Sequence, residues 1–172
     1  MPTLYILSGL PGVGKSTLAK RLAQETMAVY LRIDTLEQAI RELCDFEVEG
    51  EGYRTAYRIA SDNLELGTSV VADCCNPIPL TRREWEQVAV SVSAAAVNIE
   101  VRCSNLDEHR YRVESRRAMS SSPELLPTWD EVLNRHFVPS KQDEAILVDT
   151  ASKSLDECYQ FLQKELRSLD SA

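Results

Sequence analysis

The apolar positions of the chain fall into two alternating rhythms: short β-rich runs, and longer stretches with apolar residues three and four apart. That alternation predicts parallel strands joined by helical crossovers, an α/β fold. Leu4 to Ser8 reads as the first strand, a Gly-rich turn follows, and a helix covers about Lys15 to Thr26. Ala28 to Ile33 reads as strand two. Helices are expected over Leu36 to Leu43 and Tyr53 to Leu66, the latter carrying Ala56, Ile59, Ala60, Asn63 and Leu64 as a stripe closed by a cap at Gly67. Thr68 to Ala72 is strand three, Thr81 opens a helix through about Val92, and Val97 to Cys103 is strand four. Asn105 or Asp107 caps a charged helix reaching about Arg117. Met119 to Pro127 reads as a Ser/Pro-rich loop placed where a lid closes. A helix over Trp129 to Phe137, strand five over Ala145 to Val148 and an amphipathic helix over Ser154 to Ser168 complete the pattern.

At 172 residues and 44% apolar, the chain suffices for one buried core and is short for two. With no internal repeat and no linker, residues 1–172 are expected to form a single domain with a lid around 106–127. A net charge of -8, without a long Lys/Arg run, repels a phosphate backbone, so a nucleic-acid partner is disfavoured. No apolar stretch approaches the roughly 20 residues that cross a bilayer, and the start of the chain lacks the shape of a secretory signal. A cytoplasmic location is expected, with no membrane contact and no obligatory protein partner evident. The five cysteines form no CxxC pair, and His109 and His136 complete no zinc spacing, so reduced thiols and no structural metal are expected.

The candidate chemistry begins at Gly9-Leu-Pro-Gly-Val-Gly-Lys-Ser-Thr17, which satisfies G-x-x-x-x-G-K-[ST]. Glycines at 9, 12 and 14 let the backbone turn its N–H groups inward, and with the following helix N-terminus they cradle anionic oxygens. Pro11 and Gly12 shape the turn, and Val13 and Thr17 flank the cradle. Lys15 supplies a point charge for the β and γ oxygens of a nucleoside triphosphate such as ATP, and the Ser16 hydroxyl takes one Mg²⁺ position. An apolar strand before the motif and an amphipathic helix after it are the setting this loop requires.

Two acids lie at expected strand ends. Asp34 follows strand two and would project at the carboxyl edge of a parallel sheet, where a carboxylate can accept a proton from a hydroxyl. Asp73 follows strand three in Val70-Val-Ala-Asp-Cys-Cys-Asn76 and suits an outer-sphere ligand to Mg²⁺. Either is also an ordinary cap or turn residue. Together with the Gly-rich motif, Asp34 and the Asp73-Cys-Cys-Asn76 run resemble the P-loop kinases of the AAA_33 or zeta-toxin-like group, which includes chloramphenicol phosphotransferase and polynucleotide kinase domains. The resemblance spans essentially the whole chain. It implies a P-loop NTPase fold, a five-stranded parallel sheet in the order 2-3-1-4-5 with helices on both faces, and Asp34 as general base. Many members place an arginine shortly after that aspartate, whereas this chain reads Asp34-Thr-Leu-Glu-Gln38, and Cys75 stands where a Thr is usual.

Arg112 and Arg116 are four apart and share a helix face. In small P-loop kinases an Arg-x-x-x-Arg lid lays one arginine on the adenine and points the other at the transferred phosphate, which implies those roles for Arg112 and Arg116. The other reading is a solvated helix with Glu108 paired to Arg112. Resemblance also places the backbone after strand five, at Thr150, against the adenine edge. Arg135, His136, Trp129 and Phe137 either face an acceptor or pack. The expectation is an ATP- and Mg²⁺-dependent phosphotransferase acting on a hydroxyl of a small-molecule acceptor, with Lys15, Asp34 and Arg116 catalytic. A nucleotide-dependent regulatory module and, against the charge balance, a polynucleotide 5′-kinase are the alternatives.

Overall fold

A computed structural model describes residues 1–170. Five strands, β1 (Thr3–Ser8), β2 (Val29–Arg32), β3 (Val70–Asp73), β4 (Ala95–Arg102) and β5 (Ile146–Asp149), form one parallel sheet in the order β2-β3-β1-β4-β5. The helices are α1 (Lys15–Thr26), α2 (Ile33–Cys44), α3 (Glu51–Glu65), α4 (Pro79–Ser91), α5 (Leu106–Ala118), α6 (Trp129–Leu133) and α7 (Leu155–Asp170). This is the P-loop NTPase fold.

Alternation along the central strand divides its side chains between two cores. Leu4 and Ile6 of β1 pack with Ala56, Ala60 and Leu64 of α3 and with Trp85 and Ala89 of α4. Tyr5 and Leu7 belong to the opposite core, with Leu18 and Leu22 of α1 and Tyr159 and Leu162 of α7. The two cores share one sheet, and β1 delivers its carboxyl end to the middle of it.

The helix boundaries follow from local chemistry. Asn105 caps α5 by accepting from the Glu108 N–H at 3.0 Å, which settles the cap between Asn105 and Asp107. Thr128 and Glu131 form a capping box at α6, and Ser154 and Glu157 exchange the same bonds before α7. Pro79 occupies the first turn of α4, where its missing N–H costs nothing.

Several boundaries depart from the sequence expectation, among them the starts of α3 at Glu51, β3 at Val70 and α4 at Pro79. Strand β4 starts two residues early, at Ala95, whose N–H is taken by the Pro2 carbonyl at 3.0 Å. Helix α6 ends at Leu133 rather than Phe137, and the chain runs on through Arg135 and His136 without helix. The expected loop after α5 contains a 3-10 turn over Pro123–Leu125, with the Arg117 guanidinium bonded to the Leu126 carbonyl. Most consequential, α2 begins at Ile33 directly from the end of β2, so Asp34 lies in the first turn of a helix and not at a strand tip. No helix among the described residues is long and apolar enough to cross a membrane.

Candidate active site

The turn between β1 and α1 sits against the carboxyl ends of β3 and β4. Gly9, at φ +139°, donates its N–H to the Cys75 carbonyl at 3.0 Å, and a Cβ there would lie 2.2 Å from the Val101 carbonyl oxygen. Only glycine fits. Gly14 adopts φ +92° as the cap of α1, leaving the first-turn N–H groups unpaired by any capping side chain. Val13 turns its side chain into the core and its carbonyl toward Thr150, whose hydroxyl donates to it at 2.8 Å. Thr17 is exposed at the rim.

Asp73 is 2% exposed and surrounded by donors. Its Oδ1 lies 3.8 Å from Lys15 Nζ, and its Oδ2 accepts from the Tyr30 hydroxyl at 2.7 Å, with Arg32 Nε at 4.0 Å. Burial first, then the bond to Asp73, pushes the Tyr30 hydroxyl upward, so the phenol remains a donor. The register explains the grouping, because Arg32 of β2 pairs with Asp73 of β3, and Tyr30 shares Arg32's face of the strand. Arg32 also reaches Asp34, Nη2 to Oδ2 at 3.1 Å, and Asp34 is 68% exposed at the front of α2. The two acids are thus linked through one guanidinium.

Arg112 donates to the Thr150 hydroxyl at 2.7 Å and the Thr150 carbonyl at 3.0 Å, and its Nη2 pairs with Glu108. The Glu108–Arg112 pair of the second sequence alternative is thus present, and Arg112 is at the same time fixed on Thr150 beside the Gly-rich turn. Arg116, one turn on, is exposed.

A cavity of about 530 Å³ gathers these groups. Gly12, Gly14, Lys15, Ser16, Thr17, Asp34, Asp73, Arg112, Arg116 and Thr150 all line it, as does Pro11. Among its lining residues seven are basic, Lys15, Lys20, Arg32, Arg112, Arg116, Arg135 and Lys153, against only Asp34 and Asp73. On a chain of net charge -8 this concentration of cations is local and suits a polyanion.

A second cavity of about 950 Å³ adjoins the first and shares Asp34, Cys75 and Arg135 with it. Its charge is reversed: Asp34, Glu37, Glu49 and Glu84 line it against Arg54 and Arg135, with His136 at the edge. Glu37 folds across the start of α3 because residue 52 is glycine; a Cβ there would meet Glu37 Cγ at 2.3 Å. Burial raises the pKa of Glu37 despite the nearby Arg41. Tyr57 donates to Glu84 at 2.9 Å and stacks edge-on to Trp85, fixing that wall. Cys74 is buried, and burial pushes its thiol up, whereas Cys75 is half-buried where the cavities meet.

The AAA domain family AAA_33 matches residues 4–139. The chain belongs to this family. The fold of this AAA_33 protein is similar to that of Mycobacterium tuberculosis APS kinase CysC, solved with AMPPNP and APS, at 18% identity and a TM-score of 0.72 over 96% of this chain and 98% of that one. It is similar to Kti12 of Chaetomium thermophilum, solved with ADP-AlF3, at 20% identity and TM-score 0.71 over 95% and 97% of the two chains. A gluconokinase from Sinorhizobium meliloti matches at 16% identity and TM-score 0.69, over 98% and 93%. No curated protein matches the sequence significantly.

Sequence reasoning missed Tyr30, Arg32 and His109. The first two were signalled by alternation, since Tyr30 and Arg32 share one face of β2 while Val29 and Leu31 pack into the opposite core. The signal for His109 was helical, because His109 and Val113, four apart, are the buried residues of an otherwise charged helix.

Proposed function

We propose that this AAA_33 protein is a P-loop kinase that moves the γ-phosphoryl group of ATP to a hydroxyl of a small acceptor, and that the acceptor is uncharged or basic. The observation that carries the reading is the contrast between adjoining cavities, one cationic and one acidic, meeting at Asp34. The cationic side suits the triphosphate, with Lys15 and Arg116 offsetting charge that builds on the transferring group. Arg112, fixed on Thr150, borders the nucleoside end. Ser16 and Asp73 offer the hard oxygen donors that Mg²⁺ requires, and with Asp73 already accepting from Tyr30 an outer-sphere role through water suits it best. Bound there, Mg²⁺ would supply charge neutralisation and orientation of the phosphate oxygens.

Asp34, which accepts from Arg32, would take the acceptor's proton. The guanidinium beside Asp34 comes from two residues before it in the chain. The acidic second cavity disfavours phosphate, sulfate or carboxylate acceptors and favours a hydroxylated ligand that donates hydrogen bonds to Glu37 and Glu84. An oligonucleotide is disfavoured on the same ground.

ADP release measured across neutral, basic and anionic hydroxyl compounds tests this. We expect release that depends on a neutral or basic acceptor and falls about 10²- to 10⁴-fold in Asp34→Asn, with the KM for ATP unchanged. No acceptor-dependent release from any class, or an Asp34→Asn enzyme at full rate, would sink the proposal.

A further inference from the structure

The Gly-rich turn is gripped from outside as well as from below. His109, on α5, is 4% exposed, and its Nε2 lies 2.7 Å from the Pro11 carbonyl oxygen. A carbonyl only accepts, so Nε2 carries the proton. The ring stands edge-on to Trp129 at the start of α6, centroids 5.1 Å apart. Gly12, at φ +86°, leaves the space that this helix fills, since a Cβ there would lie 2.5 Å from Val113 Cγ2 and 3.4 Å from His109 Nε2.

The consequence follows from peptide geometry. No peptide bond among the described residues is cis, so the carbonyl of residue 11 and the N–H of residue 12 point in opposite directions. By holding the Pro11 carbonyl toward α5, His109 turns the Gly12 N–H away from α5, at a residue that lines the cationic cavity. Thr150 does the same two residues on, holding the Val13 carbonyl and thereby aiming the Gly14 N–H. We infer that His109 is a positioning residue for nucleotide binding: its Nε2–H bond to the Pro11 carbonyl presets the turn so that the Gly12 N–H is aimed at the phosphates before they arrive. The inference rests on the turn holding phosphates, as the function above requires. It also gives a task to a buried imidazole that phosphoryl transfer itself does not use.

The test separates ring from donor. His109→Phe keeps the aromatic contact with Trp129 and removes the N–H; His109→Gln restores a side-chain donor of similar reach. We expect the Kd for Mg·ATP, by calorimetry, to rise roughly tenfold in the Phe variant and to recover most of that loss in the Gln variant. The KM for ATP should rise with it while kcat at saturating ATP changes little, a split that general destabilisation would not produce. A Phe variant that binds ATP as tightly as the wild type, or a folded Gln variant no better than Phe, overturns the inference. Should the variants not fold, ring ¹⁵N correlations of the wild type decide: protonation at Nε2 supports it, and an Nδ1–H tautomer sinks it. Wild-type protein that fails to bind ATP would instead remove the nucleotide reading beneath it, an outcome distinguishable from the others.

Discussion

Single side chains here hold conflicting tasks, and Glu37 shows the conflict most plainly. It is half-buried where α2 meets α3, seated there by the missing side chain of Gly52. Burial raises its pKa from 4.5, so the folded state prefers the neutral acid more than the unfolded chain does. A raised folded pKa contributes stability below the unfolded value and loses it as pH climbs through the folded one. Glu37 therefore favours folding below about pH 4.5 and disfavours it at neutrality. We expect Glu37→Gln to raise the urea midpoint at pH 7 and to lose that margin as pH falls to about 4.5, with acceptor-dependent turnover reduced. An unchanged midpoint at both pH values would contradict the burial argument. A residue that lowers stability at working pH while facing a cavity fits a binding role. Nothing in the sequence announced this, because Glu37 looks like any charged position on an amphipathic helix until Gly52 is placed beneath it.

At the scale of elements, a buried ion pair helps to fasten the segment after α6, whose Val138 N–H also donates to the Pro77 carbonyl at 2.8 Å. Arg82 of α4 and Glu100 of β4 lie 3.7 Å apart, with side chains 8% and 5% exposed. Arg82 donates to the Ser140 hydroxyl at 2.7 Å and to the Val138 carbonyl at 2.6 Å, while Glu100 accepts the Ser140 N–H at 2.6 Å. These bonds fasten the non-helical chain that carries Arg135 and His136 to the cavities. Arg82→Ala should cost about 3–5 kcal/mol in urea unfolding because Glu100 is left charged and buried. Arg82→Met with Glu100→Gln should cost less than the single change. A loss below about 1 kcal/mol for Arg82→Ala would show that the pair is not what holds the segment. Elements of this kind mark the boundary of what sequence revealed. The strands, α1 and the Gly-rich turn were readable because apolar period and glycine placement are local signals. The early start of α2 was not, since Ile33 follows a strand without a capping side chain, and neither was the short α6, which stops at Leu133 although helix was expected as far as Phe137.

Across the whole molecule, the two cores lie on opposite faces of one sheet, and the Gly-rich turn at its carboxyl edge is tied to three distant parts of the chain. Gly9 bonds the segment after β3, Pro11 is held from α5, and Val13 is held by Thr150 after β5. A sheet whose central strand feeds both cores gives neither an independent footing, so we expect residues 1–170 to unfold as one unit. In native-state hydrogen exchange, the most protected amides of α1 and of α3 should then report the same opening free energy. Under the proposed function Mg·ATP would bind only the folded turn, and at a hundredfold excess over its Kd it should raise that shared value by about 2.7 kcal/mol. Because the two cores share the central strand, the increase should appear equally in both helices. If ATP protected α1 and left α3 unchanged, the faces would be separate units, and the acidic cavity beside α3 would be free to open while the nucleotide stayed bound.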